Sequence, residues 1–241
     1  LAMFKSGVPH LDTPQDNAFA GVLYKYALKH GIKYILNGGN VSTECVDTPL
    51  NIIYWGTDMA QIKDILGRYG STPMTTYPFT SIWYKRLYVQ LARRIKVIKP
   101  LNYINYNKNA AVAELSKTYD WKPYPQKHYE SRFTRFFEGF WLPTRFGYDM
   151  RRREFSSLIL TGQMTRDDAL DQLAKPALHS EDVVNEFSYV AAKLGISSDE
   201  LMKYHSMPKK YYWDYRNQSH LFAIGEKALA RFSNSRRGGA I

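Results

Sequence analysis

The 241-residue sequence contains one cysteine, Cys45, which excludes a disulfide framework or a cysteine-rich zinc site within the chain. A lone thiol fits a reducing compartment, so the expected location is the cytoplasm. No run of about 18 apolar residues occurs, which excludes a membrane-spanning helix in these residues. The first residues, Leu1 to Gly7, lack the basic start, apolar middle and small-residue cleavage site of a secretory leader. A chain that starts at Leu rather than Met is expected to begin within a longer protein. Glycine (15) and proline (11) are too few for collagen-like or low-complexity architectures. Walker, GxSxG, HExxH, EF-hand and paired CxxC motifs are all missing. The histidines, His10, His30, His128, His179, His205 and His220, are scattered without metal-ligand spacing, which argues against a transition-metal site.

What is present is a 44% hydrophobic, basic chain that can bury a sizeable core, with a net charge of +11. The excess is unevenly placed: residues 1–116 carry 13 basic and 7 acidic side chains, 117–153 carry 9 and 4, and 154–241 carry 11 of each. A basic N-terminal part beside a neutral C-terminal part points to an anionic partner such as nucleotide phosphates, a nucleotide sugar or a nucleic acid. A solvated basic surface is the alternative.

The order of elements reads as α/β followed by helices. Thr13 as cap, Pro14 in the first turn and an apolar face of Phe19, Val22, Leu23, Tyr26 and Ala27 predict a helix over 13–30, closed by Gly31. Ile32–Leu36 reads as a strand running into Asn37-Gly38-Gly39-Asn40. A second helix is expected over 81–96, a second strand over 97–101 and a third helix capped by Asn109 and ending near Lys117. From Trp121 the texture becomes Pro- and aromatic-rich and then helical. The expected division is therefore 1–120, the C-terminal part of an ATP-binding α/β domain, and 121–241, a helical lobe. Within the lobe, Phe133, Phe136, Phe137, Phe140 and Trp141 form a core stripe, Thr165/Asp168 and Ser197/Glu200 read as capping boxes, and Asp149/Arg153 has ion-pair spacing. Arg236 to Gly239 reads as a frayed tail.

Three constellations carry chemistry. The Gly38-Gly39-Asn40 loop after a strand lets backbone N–H groups approach a phosphate, and Ser42, Thr43 and Glu44 add groups suited to Mg²⁺ or a ribose. His10, Asp12 and Asp16 surround a proline-fixed helix start, where carboxylates also favour the helix dipole without any ligand. Lys127, His128, Glu130 and Arg135, followed by Arg145, Arg152 and Arg153, form a cationic stretch able to clamp phosphates or a developing oxyanion, or else to face solvent.

The segments SGVPHLDTPQD (6–16), KYILNGGNVSTEC (33–45), KHYES (127–131) and FGYDMRR (146–152) together resemble the N-acetyl sugar amidotransferases of bacterial surface-polysaccharide (lipopolysaccharide, O-antigen) biosynthesis, of the WbpG and PseA kind. The resemblance implies an adenine-nucleotide alpha-hydrolase (PP-loop, Rossmann-like) parallel sheet with a C-terminal helical lobe. It further implies ATP-dependent conversion of an acetamido group on a nucleotide-linked sugar to an acetamidino group, with AMP and pyrophosphate released. Ammonia would come from a partner glutaminase resembling that of imidazole glycerol phosphate synthase, with a cyclase-like subunit as a further partner. The cofactors implied are ATP and Mg²⁺. The family's N-terminal cysteine-bearing segment and pyrophosphate loop do not occur here, so the chain looks like the family without that portion. Carried over, Gly38, Gly39, Asn40, Ser42, Thr43, Glu44 and Asp16 would bind the cofactor, with Glu44 toward the metal. His10, Asp12 and Arg145 would bind substrate, and Lys127, His128, Glu130, Arg135 and Arg152 would act on the activated intermediate. The competing expectation is a tRNA-modifying PP-loop enzyme or basic nucleic-acid binder, in which aromatics between 117 and 153 stack bases.

Overall fold

The computed structural model describes residues 1–232, with side chains placed through 225; the Arg236–Gly239 tail lies outside the described residues. In chain order the elements are α1 (Ala2–Ser6), α2 (Thr13–Lys29), β1 (Tyr34–Leu36), α3 (Val41–Glu44), α4 (Met59–Tyr69), a π-helix (Tyr84–Ala92), β2 (Lys96–Ile98), a 3-10 turn (Pro100–Tyr103) and α5 (Lys108–Tyr119). They continue with α6 (Arg132–Phe136), a π-helical turn (Phe137–Trp141), α7 (Leu142–Phe146), α8 (Arg151–Leu160), α9 (Arg166–Leu173), α10 (Ser180–Leu194), α11 (Ser198–Ser206), a 3-10 turn (Tyr212–Asp214) and α12 (Ser219–Phe232). The fold is mixed α/β but mostly helical, with β1 and β2 forming a small parallel sheet. None of the described helices is long and apolar enough to cross a membrane.

Two compact units divide the chain: residues 1–35, 49–98 and 208–241, and residues 36–48 and 99–207. In the first unit, Tyr24 and Ala27 of α2 pack with Val89 and Ile95, joined by Ile35 and Val97 from the two strands. The predicted helix 13–30 is present, but its buried face differs from the expected one. Thr13, Asn17, Gly21, Tyr24 and Ala27 are buried, whereas Phe19 (65% exposed), Val22, Leu23 and Tyr26 point outward. Polar anchoring decides this. The Asn17 amide donates to the Gly56 and Thr80 carbonyls at 2.7 and 2.8 Å and accepts from the Thr80 N–H at 3.0 Å, completing a buried polar group. Gly21 lets the Pro78 carbonyl come so close that a Cβ there would lie 1.8 Å from its oxygen. Thr13 does not cap the helix: Asp12 occupies the cap position and the Thr13 hydroxyl donates to the His10 carbonyl at 3.2 Å.

α4, which the sequence reading left undetected, is capped by buried Asp58, whose Oδ1 accepts from Ala60 and Gln61 N–H at 3.0 and 3.1 Å. Its Oδ2 accepts from the Tyr212 hydroxyl and, at 2.6 Å, from the Gln218 N–H, so one carboxylate fixes both α4 and the returning C-terminal segment. The Tyr215 hydroxyl, donating to the Ser6 carbonyl at 2.5 Å, adds a second tie to the end of α1.

The second unit contains α3 and α5–α11. The aromatic stripe is its core as expected: Phe136, Phe137 and Trp141 are buried, and the Phe136 ring meets Phe187 of α10 edge-on at 5.8 Å. A separate cluster joins Phe155 and Leu158 of α8 to Ala169 of α9. Thr165 and Ser197 cap α9 and α11, accepting from the N–H groups of Asp168 and Glu200 at 3.1 Å each. α5 is capped by Asn107 and not by Asn109, because it is Asn107 that takes the extended backbone from which its Oδ1 accepts the Ala110 N–H. Asp149 pairs with Arg151 at 2.7 Å, not with Arg153; α8 begins at Arg151, so Asp149 precedes the helix and the i,i+4 geometry never forms.

Candidate functional site

The chain leaves β1 directly into the glycine loop and leaves β2 at Lys99. Within the second unit these two exits meet. The Asn37 side chain accepts from the Gly39 N–H at 2.7 Å, which folds the loop back on itself. Asn40 caps the single turn α3, its Oδ1 accepting from the Thr43 N–H at 3.0 Å. The Thr43 and Ser42 hydroxyls donate to Asn40 Oδ1 (3.3 Å) and the Tyr106 carbonyl (3.2 Å), so both serve to hold the loop. Val41 N–H donates to Asn102 at 2.8 Å and Val46 N–H to Ser157 of α8 at 3.1 Å, fixing the segment at both ends.

Side chains crowd one of the two glycines of the loop. A Cβ on Gly39 would lie 2.7 Å from both Asn37 Oδ1 and Glu44 Oε2 and 3.3 Å from Lys99 Cε, whereas one on Gly38 would meet nothing within 4 Å. The absence of a side chain at 39 therefore lets a carboxylate, an amide and a lysine stem converge.

Glu44 is the centre of the cluster. Its Oε1 accepts from the Lys127 ammonium at 2.6 Å, and its buried Oε2 has no hydrogen-bond partner among the described residues. Burial pushes the Glu44 pKa up, but the Lys127 hydrogen bond and charge, with Lys99 and Arg153 behind them, hold it below the usual carboxylate value. Three cations face one carboxylate, a surplus of two positive charges. His128 follows Lys127 with a left-handed backbone (φ 67), a conformation that costs a non-glycine residue of order 1 kcal/mol. Burial, then Lys127, lowers its pKa, against which Glu130 and Glu44 pull upward. His128 Nδ1 lies 3.9 Å from exposed Glu130. A small cavity of about 30 Å³ borders Lys127, His128, Tyr129, Arg153 and Glu154, and Glu154 is itself paired with Lys108 at 2.5 Å.

Other expected site residues are engaged elsewhere. Arg135 and Arg132 both bind the buried Glu186 carboxylate. Arg145 is buried, donating to the His205 and Met207 carbonyls (2.8 Å to the latter), which anchors the end of α11. Arg152 is exposed on α8. His10, Asp12 and Asp16 form a cluster of their own in the first unit. His10 Nε2 lies 3.6 Å from Asp16 Oδ2 and its ring stands edge-on to Tyr54 at 5.9 Å. Burial pushes the Asp12 carboxyl up to about 6, opposed by the His10 charge and assisted by Asp16.

Sequence reasoning missed Lys99; it counted Arg153 in the cationic stretch but paired it with Asp149 and left it out of the carried-over site. The signal for Lys99 was its position, one residue past a short β-prone run and thus equivalent to the start of the glycine loop. Arg153 carried no distinguishing signal, since its neighbours Arg151 and Arg152 share its charge. Among the described residues no three His, Cys, Asp or Glu side chains come together as a metal-ligand group. The three cations at Glu44 could face an anion, whereas the unsatisfied carboxylate oxygen could take only a hydrogen-bond donor or a cation.

No curated protein and no solved structure matches the chain. Residues 130–229 match the family model described as "LPS biosynthesis protein WbpG-like, C-terminal domain", so this part of the chain is similar to that domain.

Proposed function

We propose that this protein is the ATP-dependent N-acetyl sugar amidotransferase that the sequence resembles, acting in the cytoplasm on a nucleotide-linked sugar destined for surface polysaccharide. The observation that carries the reading is the Glu44–Lys127 pair, which joins the glycine loop to the KHYES segment inside the unit that holds most of the WbpG-like match. In the reaction, ATP activates the acetamido oxygen, ammonia from a partner glutaminase adds to the carbonyl carbon, and AMP departs with that oxygen after pyrophosphate release. Lys99, Lys127 and Arg153 would hold phosphate oxygens and balance charge that grows as the leaving group forms. The orphaned Oε2 of Glu44 fits one ligand position of a phosphate-bound Mg²⁺, an ion that takes few protein carboxylates and completes its shell with phosphate and water. The PP-loop sheet is part of the same proposal, supported by the parallel pairing of β1 and β2.

The test is an assay of the intact gene product with ATP, Mg²⁺, ammonium and UDP- or CMP-linked acetamido sugars, following AMP release and replacement of one oxygen by NH in the sugar by mass spectrometry. Amidine formation is the expected result. ATP cleavage that needs tRNA and leaves every acetamido sugar unchanged would overturn the reading in favour of a tRNA-modifying enzyme.

A further inference from the structure

A second cationic site lies away from Glu44, between α6 and α10 of the second unit. A cavity of about 370 Å³ opens there, within the size range of small-ligand pockets, and Phe133 and Leu194 contribute apolar wall. Its charge is unbalanced from beneath. Glu186, 2% exposed, accepts from Arg132 Nε at 2.9 and 3.1 Å and from Arg135 as well, so two guanidinium groups share a single buried carboxylate. Arg132 then lies over Tyr189, its guanidinium carbon 3.7 Å from the ring centroid, and the hydrogen bonds it makes among the described residues run from Nε, not from its terminal nitrogens. Lys193, one turn along α10, sits 5.5 Å from the same ring, and no carboxylate of the described residues pairs with it. Two cations on one aromatic ring repel each other, and a bound anion would relieve that repulsion while using the planar donor fork that Arg132 presents. Glu130, on the cavity wall, supplies an acceptor for hydroxyl groups beside the anion.

We propose that this cavity is a binding site for the diphosphate of a nucleoside diphosphate group, held by Arg132 and Lys193. The identity of the natural ligand as the carrier part of a nucleotide sugar rests on the proposed function, but the site itself does not. It sets an apolar wall of Phe133 and Leu194 beside the cations in a far larger cavity than the one at Lys127, and so would anchor the unreactive end of a substrate.

The test is calorimetric titration of the intact protein with UDP and with inorganic pyrophosphate, combined with acetylation footprinting of lysines. UDP is expected to protect Lys193, and Lys193→Glu is expected to weaken UDP binding at least tenfold, while Lys29→Gln, which removes an exposed charge on α2, leaves that event in place. Lys193 is exposed, so the variant should keep the wild-type melting temperature; Arg132→Gln is the second variant, checked by the same melt because of Glu186. Tighter binding of UDP than of pyrophosphate would support a nucleoside contribution, and equal binding would overturn it in favour of a phosphate-only site. Unchanged UDP affinity in Lys193→Glu, or binding without protection of Lys193, would overturn the site. If UDP binds as expected while no acetamido sugar is amidinated, the reaction assignment alone fails.

Discussion

The Lys127 ammonium lies 2.6 Å from Glu44 Oε1 across 83 positions of sequence, both side chains largely withdrawn from solvent. That contact makes one cluster of two segments that nothing in their local patterns connects. It also makes the cluster's charge interdependent, since removing Lys127 leaves the carboxylate with only Lys99 and Arg153 as more distant partners.

Lys127→Ala should lower amidination turnover by about 10² to 10³, the usual effect of removing a donor from developing charge. It should also cost about 2 kcal/mol of stability, because a withdrawn carboxylate loses its charged hydrogen bond. Denaturant unfolding and turnover on Lys127→Ala, Glu44→Gln and the double variant separate the two effects. A double variant that loses no more stability than either single one would establish the coupling, and near-normal turnover by Lys127→Ala would place its charge outside catalysis.

Gly39→Ala and Gly38→Ala should behave oppositely. The first makes the ends of the Asn37 and Glu44 side chains shift and should weaken ATP binding with little change in melting temperature; the second meets open space and should bind normally. Equal ATP affinities of the two variants would show that the convergence at Gly39 is irrelevant to the ligand.

Asp12 predicts a pH dependence with a definite sign. Its carboxyl is raised by burial from 3.8 to about 6 in the folded state, so the folded protein keeps a proton that the unfolded chain gives up. Stability from this group is fully present below pH about 4 and is lost as pH rises to about 6, a change on the order of 3 kcal/mol. Asp12→Asn should remove that loss, and melts between pH 4 and 7 on both proteins measure it. Parallel curves for the two would show that the carboxyl titrates normally.

Asp58→Ala should destabilise the protein by roughly 3 kcal/mol or more, because buried N–H groups of Ala60, Gln61 and Gln218 and the Tyr212 hydroxyl lose one shared acceptor. Tyr212→Phe removes one of these bonds and should cost about 1 kcal/mol. Limited proteolysis should cut first near residues 208–218 in Asp58→Ala, and an unchanged cleavage pattern would mean that Asp58 does not retain this segment.

What the sequence determined by itself is local. The extent of α2 followed from Pro14 and Gly31, the starts of α9 and α11 from Thr165 and Ser197, and the Phe136–Trp141 core from its spacing, because each depends on neighbours within a turn or two. The glycine loop was legible for a related reason, since a strand followed by two glycines carries its own geometry. α4 was legible but passed over: Asp58 stands at its cap, and Met59, Ile62, Ile65, Leu66 and Tyr69 follow the spacing of one helical face. Partner choice between distant segments was not legible at all. Which face of α2 turns inward was settled by Asn17 reaching Gly56 and Thr80 and by Pro78 pressing on Gly21, against the apolar pattern of the helix itself. Lys99, Arg153 and Lys127 gather at Glu44, and Arg132 and Arg135 gather at Glu186, only because the folded backbone brings them there. A charge in a sequence shows what it can pair with, but the energy of the pair depends on distance and burial, and these exist only once the tertiary structure has formed.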